Sequence, residues 1–140
     1  KYPAQYSLEC LNAFMDWGVF DTMQTVYGAL VRTAEVAIAK ACEKGIGIIV
    51  RGALKRYFPN YDDLYDRAGL QELCEAGEDR NSFLLRYAMT SKGVSAVIVG
   101  TKSAEHLAAN IAAAEKGVLA ADIYQEAQRR LAAVGIVPGK

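Results

Sequence analysis

Three short apolar or β-branched runs, each followed by a helix-forming stretch, constrain this chain more than anything else in it. The run "IGIIV" at residues 46–50 starts directly after a glycine and holds no polar residue, the pattern of a strand buried on both faces of a parallel sheet. "VFDTMQTVY" at residues 19–27 alternates through Phe20, Thr22, Gln24 and Val26, which predicts a strand with one polar side chain, Gln24, directed inward. "SAVIVG" at residues 95–100 reads as a further short buried strand. Parallel neighbours need a crossover, and a helix supplies it along the right-handed path, so this alternation predicts an α/β fold. Ligands of such sheets collect at the carboxyl ends of the strands, which directs attention to residues 27–33, 51–69 and 100–103.

The helical segments follow from apolar spacing and end signals. Residues 7–17 place Leu8, Leu11 and Met15 in line, with Ser7 as N-cap and Gly18 as stop. Residues 34–44 put Ala34, Ala37, Ile38 and Ala41 on one face, with Lys44 in the last turn and Gly45 just beyond it. Residues 51–69 carry Tyr57, Pro59, Tyr61 and Tyr65 among charges and read as a long loop, with at most a turn of helix. A short helical pattern covers 70–76, and another covers 82–90, where Asn81 caps and Phe83, Leu84, Tyr87 and Ala88 share a face. Helices over 104–116, stopped by Gly117, and 124–134, with Ala127, Leu131 and Val134 in line, complete the order: a helix, then three strand-helix units.

Composition narrows the function classes. At 140 residues and 52% apolar content, residues 1–140 are expected to form one domain around one core. Sixteen basic residues balance sixteen acidic ones without a block of either sign, so no field draws nucleic acid or an anionic membrane. No stretch reaches the roughly 18 apolar residues of a membrane span, and the first residues lack a signal peptide's apolar centre, which makes the cytoplasm the expected location. Cys10, Cys42 and Cys74 are odd in number and form no C-x-x-C pair, so neither disulfide nor zinc is expected, only reduced and mostly buried thiols. The chain opens on Lys1 and not on methionine, which reads as a cleavage product or part of a longer reading frame.

The segment "AVIVGTKSAEHLAANI", residues 96–111, carries the chemistry. Gly100 lets a ligand approach the backbone, and the helix start behind it offers unpaired amides with a partial positive charge of about half a unit. Thr101 and Ser103 add hydroxyls, Lys102 adds a cation, and Ser103, His106 and Asn110 fall on one stripe of the helix. An anion fits there. The alternative is that Thr101 or Ser103 is merely the N-cap and Lys102 is solvated.

"FDTMQTVYGALVRTAE", "EKGIGIIVRGAL" and "GVSAVIVGTKSAEHLAANIAAAEKG" together resemble, in order and spacing, the carboxy-terminal part of the aldo/keto reductases. These are (β/α)8 barrel enzymes that reduce carbonyls with NADPH. The resemblance runs from about Ser7 to Val134 and implies a partial (β/α)8 TIM barrel, roughly the last three βα units with a preceding helix and a C-terminal helix. It implies that Gln24 contacts the nicotinamide carboxamide, that Arg51 packs against the nicotinamide ring, and that Gly52, Ala53 and Leu54 run along the pyrophosphate. Gly100, Thr101 and Lys102 fall on the phosphate loop, and His106 and Asn110 on the adenosine pocket. His106 replaces an arginine common in the family and Ala109 an acidic residue, so NADPH is the expected cofactor and NADH the alternative. The family's catalytic tyrosine, lysine, aspartate and histidine come from the first half of the barrel and have no counterpart here; no catalytic residue and no metal ligand is nominated.

Three strands cannot close an eight-strand cylinder, so two sheet edges and an apolar inner face are expected to need cover. A missing N-terminal half or a homo-oligomer would supply it, with a small carbonyl compound as substrate once a catalytic half is present. The other reading is a catalytically silent, oligomeric α/β module that binds a nucleotide or a protein through the same loops.

Overall fold

A computed structural model describes residues 3–55 and 59–139. Lys1 and Tyr57, both singled out above, lie outside the described residues. The elements run α1 (Pro3–Trp17), β1 (Thr22–Val26), α2 (Glu35–Glu43), β2 (Gly47–Arg51), α3 (Tyr61–Arg67), a 3₁₀ turn (Leu70–Leu73), α4 (Arg80–Thr90), β3 (Val94–Ile98), α5 (Ala104–Glu115) and α6 (Ala121–Ala133). The three strands form one parallel sheet in the order β1-β2-β3, with Gln24 opposite Ile49 and Ile49 opposite Ala96. Consecutive strands are neighbours, and helices cross between them as the alternation requires.

Helices α1, α2 and α4 pack on β1, β2 and β3, and α5 packs on α4. The buried apolar residues join into one cluster, in which Leu8, Leu11 and Met15 of α1 meet Ile38 of α2, Phe83 and Leu84 of α4 and Leu131 of α6. On the sheet, Met23, Thr25, Ile48 and Val50 point into this cluster and are buried. The opposite face is largely open: Gln24, Ala96 and Ile98 are exposed there, Ile49 and Arg51 are only half covered, and Val26 at the end of β1 is buried. "IGIIV" is therefore enclosed on one face and not on two, and the third strand has no buried residue at all. Among the described residues, only the α1 side of a cleft beside Gln24 and Arg51 approaches that face, which is why the apolar run and its burial disagree.

Other boundaries shift for local reasons. Ser7 lies inside α1, which starts at Pro3, and so does not hold the cap position. Strand β1 is confined to Thr22–Val26, because the chain is still turning through Gly18, at φ 66°, and residues 19–21. The expected loop over 51–69 contains α3, and the helix expected over 70–76 is a 3₁₀ turn behind Gly69. Asp79, not Asn81, caps α4, its carboxylate accepting the Ser82 amide at 2.8 Å. Helix α6 begins three residues before Tyr124. The thiols are free, as expected, but not buried: Cys42 is exposed, and Cys10 and Cys74 are partly exposed. No helix among the described residues is long and apolar enough to cross a membrane.

Gly93 turns the chain from α4 into β3 at φ 100°, with Cys42 Cβ 2.9 Å and the Ile38 carbonyl 3.0 Å from where a Cβ would stand. Gly93→Ala is expected to cost about 2 kcal/mol, from left-handed strain together with overlap against α2. Gly45→Ala, at φ 76° in open space, should lose only about 1 kcal/mol. Urea denaturation of both variants checks the difference; equal losses would show that the contact with α2 carries none of it.

Candidate functional site

The three strands deliver three loops to one end of the sheet. After β1, Gly28 and Val31 close a tight turn with paired backbone hydrogen bonds of 3.2 and 3.0 Å. A Cβ on Gly28 would stand 3.0 Å from the Ala53 carbonyl oxygen and 3.2 Å from its Cα, so only a glycine lets the first loop lie directly on the second. After β2, Gly52 adopts φ 70°, and the Lys55 amide donates to its carbonyl at 3.1 Å. After β3, the Thr101 hydroxyl accepts the Ser103 amide at 3.1 Å, and the Ser103 hydroxyl accepts the His106 amide at 3.2 Å, capping α5. The hydroxyls thus shape the turn and the helix start. A Cβ on Gly100 would meet nothing within 4 Å, so the backbone there faces open space.

One cleft lies on the sheet, and two others follow these loops. The first, of about 370 Å³, lies between α1 and the sheet and brings Gln24 and Arg51 together with Tyr6, Phe14 and Phe20. A second, of about 380 Å³, lies between the second and third loops, with Gly52, Leu54, Ile98 and Gly100 in its walls. The third and largest, about 610 Å³, places Leu54, Gly100, Thr101, His106 and Asn110 on one side and the first turn of α4 on the other. Leu54 and Gly100 line both the second and the third cleft, which makes those two continuous. Of the predicted contacts, only Lys102 stands outside these walls, exposed on the third loop beside them. Ser103, predicted to share a stripe with His106 and Asn110, is occupied as the cap instead.

Gln24 lies on the sheet face turned away from α2 and α4, the inner side in a barrel of this kind. It is exposed on this open face, one strand away from Arg51 and on the same side of the sheet. Tyr6 of α1 reaches the first cleft, but most tyrosines stay out of the clefts. Tyr27, Tyr61, Tyr65 and Tyr87 are buried; the Tyr27 hydroxyl donates to Glu35 Oε2 at 3.3 Å and lies 3.2 Å from the Tyr124 hydroxyl. Burial pushes the Tyr27, Tyr65 and Tyr87 phenols well above the ordinary tyrosine range, which keeps all three protonated. No group of three or more His, Cys, Asp or Glu side chains able to hold a metal ion occurs among the described residues.

The wall that sequence reasoning missed is the first turn of α4, residues 79–82. Its side chains are mostly engaged: Asp79 in the cap, Arg80 with Asp62 at 2.8 Å and over the Tyr65 ring at 4.2 Å, Ser82 with Glu78 at 3.3 Å. The helix start behind "EDRN" was visible as a signal; that it faces α5 across a cleft depends on long-range packing.

No protein-family model matches the chain, and no curated protein matches it by sequence. Solved structures do. The aldo-keto reductase AKR11C1 from Bacillus halodurans, in both its holo and its apo form, matches 89% of this chain with a TM-score of 0.72 at 22% sequence identity. The chain spans about half the length of that reductase, 47% of the holo chain and 48% of the apo chain. The three-stranded parallel sheet with its helices is thus built like part of an aldo-keto reductase (β/α)8 barrel.

Proposed function

We propose that this chain supplies the nicotinamide-dinucleotide site of an aldo/keto-reductase-type oxidoreductase that reduces a small aldehyde or ketone with NADPH. The observation that carries this reading is a cleft on the sheet that holds Gln24 and Arg51, with two continuous clefts beyond Arg51 at the carboxyl end that meet Gly52 and Leu54, then Gly100 and Thr101, then His106 and Asn110. That is the order an extended dinucleotide needs, ring end first and adenosine end last. The likeness to a barrel reductase known in a holo form supports it.

Bound NADPH supplies the hydride. The chain's own residues bind and orient: Gln24 and Arg51 hold the carboxamide and the ring face at the open side of the sheet, where a carbonyl compound has access. An arginine plane stacks on such a ring as an aromatic side chain would. The open backbone at Gly100, the first amides of α5 and the Lys102 ammonium take the phosphates. The proton donor comes from a catalytic half outside this chain. Tyr27, Tyr61, Tyr65 and Tyr87 are buried away from the clefts, and the cleft that holds Tyr6 has no lysine, aspartate or histidine in its walls to poise that phenol. NADH is the competing cofactor, because His106 offers no permanent charge to a ribose phosphate.

Titrating NADPH fluorescence against wild type and Lys102→Ala tests the site. Lys102 is exposed, so its replacement leaves folding intact, and losing its charge-assisted contact should weaken binding about tenfold. Equal affinity in both proteins, or no binding in either, would sink the reading.

A further inference from the structure

The geometry points to Asn81, in the first turn of α4, as the residue that reads the adenine edge of the dinucleotide. This inference rests on the function proposed above and adds a contact from an element that reading does not use.

Sequence reasoning assigns Asn81 to the helix cap, but Asp79 fills that role. Asn81 is thereby released: it is exposed, lines the 610 Å³ cleft, and its amide has no hydrogen-bond partner among the described residues. The other side chains of this wall are anchored, Asp79 with the Ser82 amide, Arg80 through Nη1 with Asp62 and over the Tyr65 ring, Ser82 with Glu78, although Arg80 Nη2 is buried without a partner. The wall is therefore held still, with one uncommitted amide facing Asn110 and His106 of α5 across a space in the size range of small-molecule sites.

The chemistry of the cleft selects which part of a dinucleotide lies there. Carboxylates stand on both walls, Asp79 on α4 and Glu105 on α5, and repel phosphate, while the Arg80 cation of the α4 wall is paired with Asp62. Lys102 and the open backbone of Gly100 attract phosphate at the third loop, so the neutral base is the part that lies between α4 and α5. Leu54 and Ala109 give the cleft apolar surface for the flat faces of a purine. A carboxamide matches the remaining edge: its oxygen accepts from the adenine 6-amino group while its nitrogen donates to N7.

The test compares NADPH with its deamino analogue, in which hypoxanthine replaces adenine and the 6-amino donor becomes an acceptor. Wild type should bind NADPH about tenfold more tightly than the analogue, the discrimination a two-point amide contact provides. In Asn81→Ala the two should bind equally, with NADPH weakened to the level of the analogue. Alanine suits an exposed first-turn position, and unchanged circular dichroism and thermal unfolding would confirm that α4 persists. If Asn81→Ala keeps the tenfold preference, or wild type shows none, another group reads the base and this inference is wrong while the proposed function stands. If wild type binds neither compound, the proposed function falls and takes the inference with it.

Discussion

Replacing Arg86 by Met is expected to remove about 3–5 kcal/mol of folding stability, the usual cost of stranding one partner of a buried ion pair. The Arg86 guanidinium is 5% exposed and the Glu78 side chain not at all, with Nη1 2.8 Å from Glu78 Oε1. Arg86 Nε and Nη2 also donate to the carbonyls of Gly117 and Val118 at 3.0 and 3.3 Å, so this one side chain ties α4 to the turn after α5. Methionine fills most of the volume but leaves a buried carboxylate without its cation and two carbonyls without a donor. Urea denaturation measures the loss. The double variant Glu78→Gln/Arg86→Met should recover much of it, because the stranded charge is then gone; a double variant as weak as the single one would place the cost in packing. Arg86 also holds the exposed Glu75 carboxyl below the usual carboxylate range, and in Arg86→Met that group should titrate closer to an ordinary glutamate, as NMR would show.

Alkaline pH should unfold the protein well before its arginines matter. Tyr27, Tyr65 and Tyr87 are almost fully buried, and desolvation raises their phenol pKa values above the ordinary value of about 10. The sign follows from proton counting. Below about pH 10 both folded and unfolded chains keep these protons, and stability is unaffected; above it only the unfolded chain releases them, so stability falls as pH rises. Each tyrosine contributes a slope of about 1.4 kcal/mol per pH unit while its folded form stays protonated. Urea midpoints at pH 9, 10 and 11 should decline with increasing steepness. Tyr27→Phe should flatten the decline by one tyrosine's share, although it also deprives Glu35 of a donor. A midpoint that stays level to pH 11 would contradict the assignment.

What sequence reasoning recovers is what local chemistry decides. Ser103 caps α5, and Gly45 ends α2 at φ 76°, because a hydroxyl three residues before an amide and a left-handed glycine need no distant partner. The choice between Asp79 and Asn81 is different. Both are good caps, and Asp79 takes the position within a network in which Ser82 and Arg86 both donate to Glu78, which no single residue type announces. Helix α3 did carry a signal that composition obscured: Tyr61, Leu64, Tyr65 and Ala68 fall at helical spacing, with Asp62 and Asp63 in the first turn, but charge and Pro59 made the stretch look like loop. The buried Arg86–Glu78 pair left no local mark at all.

The sheet shows the same limit from the other side. "IGIIV" is apolar at every position, yet burial alternates along β2, because an apolar run records what a strand tolerates and not what covers it. At the candidate site, the loops were legible because strand ends in a parallel sheet converge, and Gly52 and Leu54 were picked out within them only by the resemblance. The α4 wall was not, since its approach to α5 depends on α4 packing against both β3 and α5.

The contact between Gly28 and Ala53 has a thermodynamic consequence for recognition. Two loops packed so closely that a Cβ on Gly28 would stand 3.0 Å from the Ala53 carbonyl oxygen cannot sample positions independently, so the second loop's conformational entropy is surrendered when the chain folds and not when a ligand arrives. Affinity then depends on the contacts themselves, undiminished by the ordering penalty that a floppy rim would exact. A single added methyl at residue 28 would convert that rigid lip into one that must be rearranged anew for each encounter.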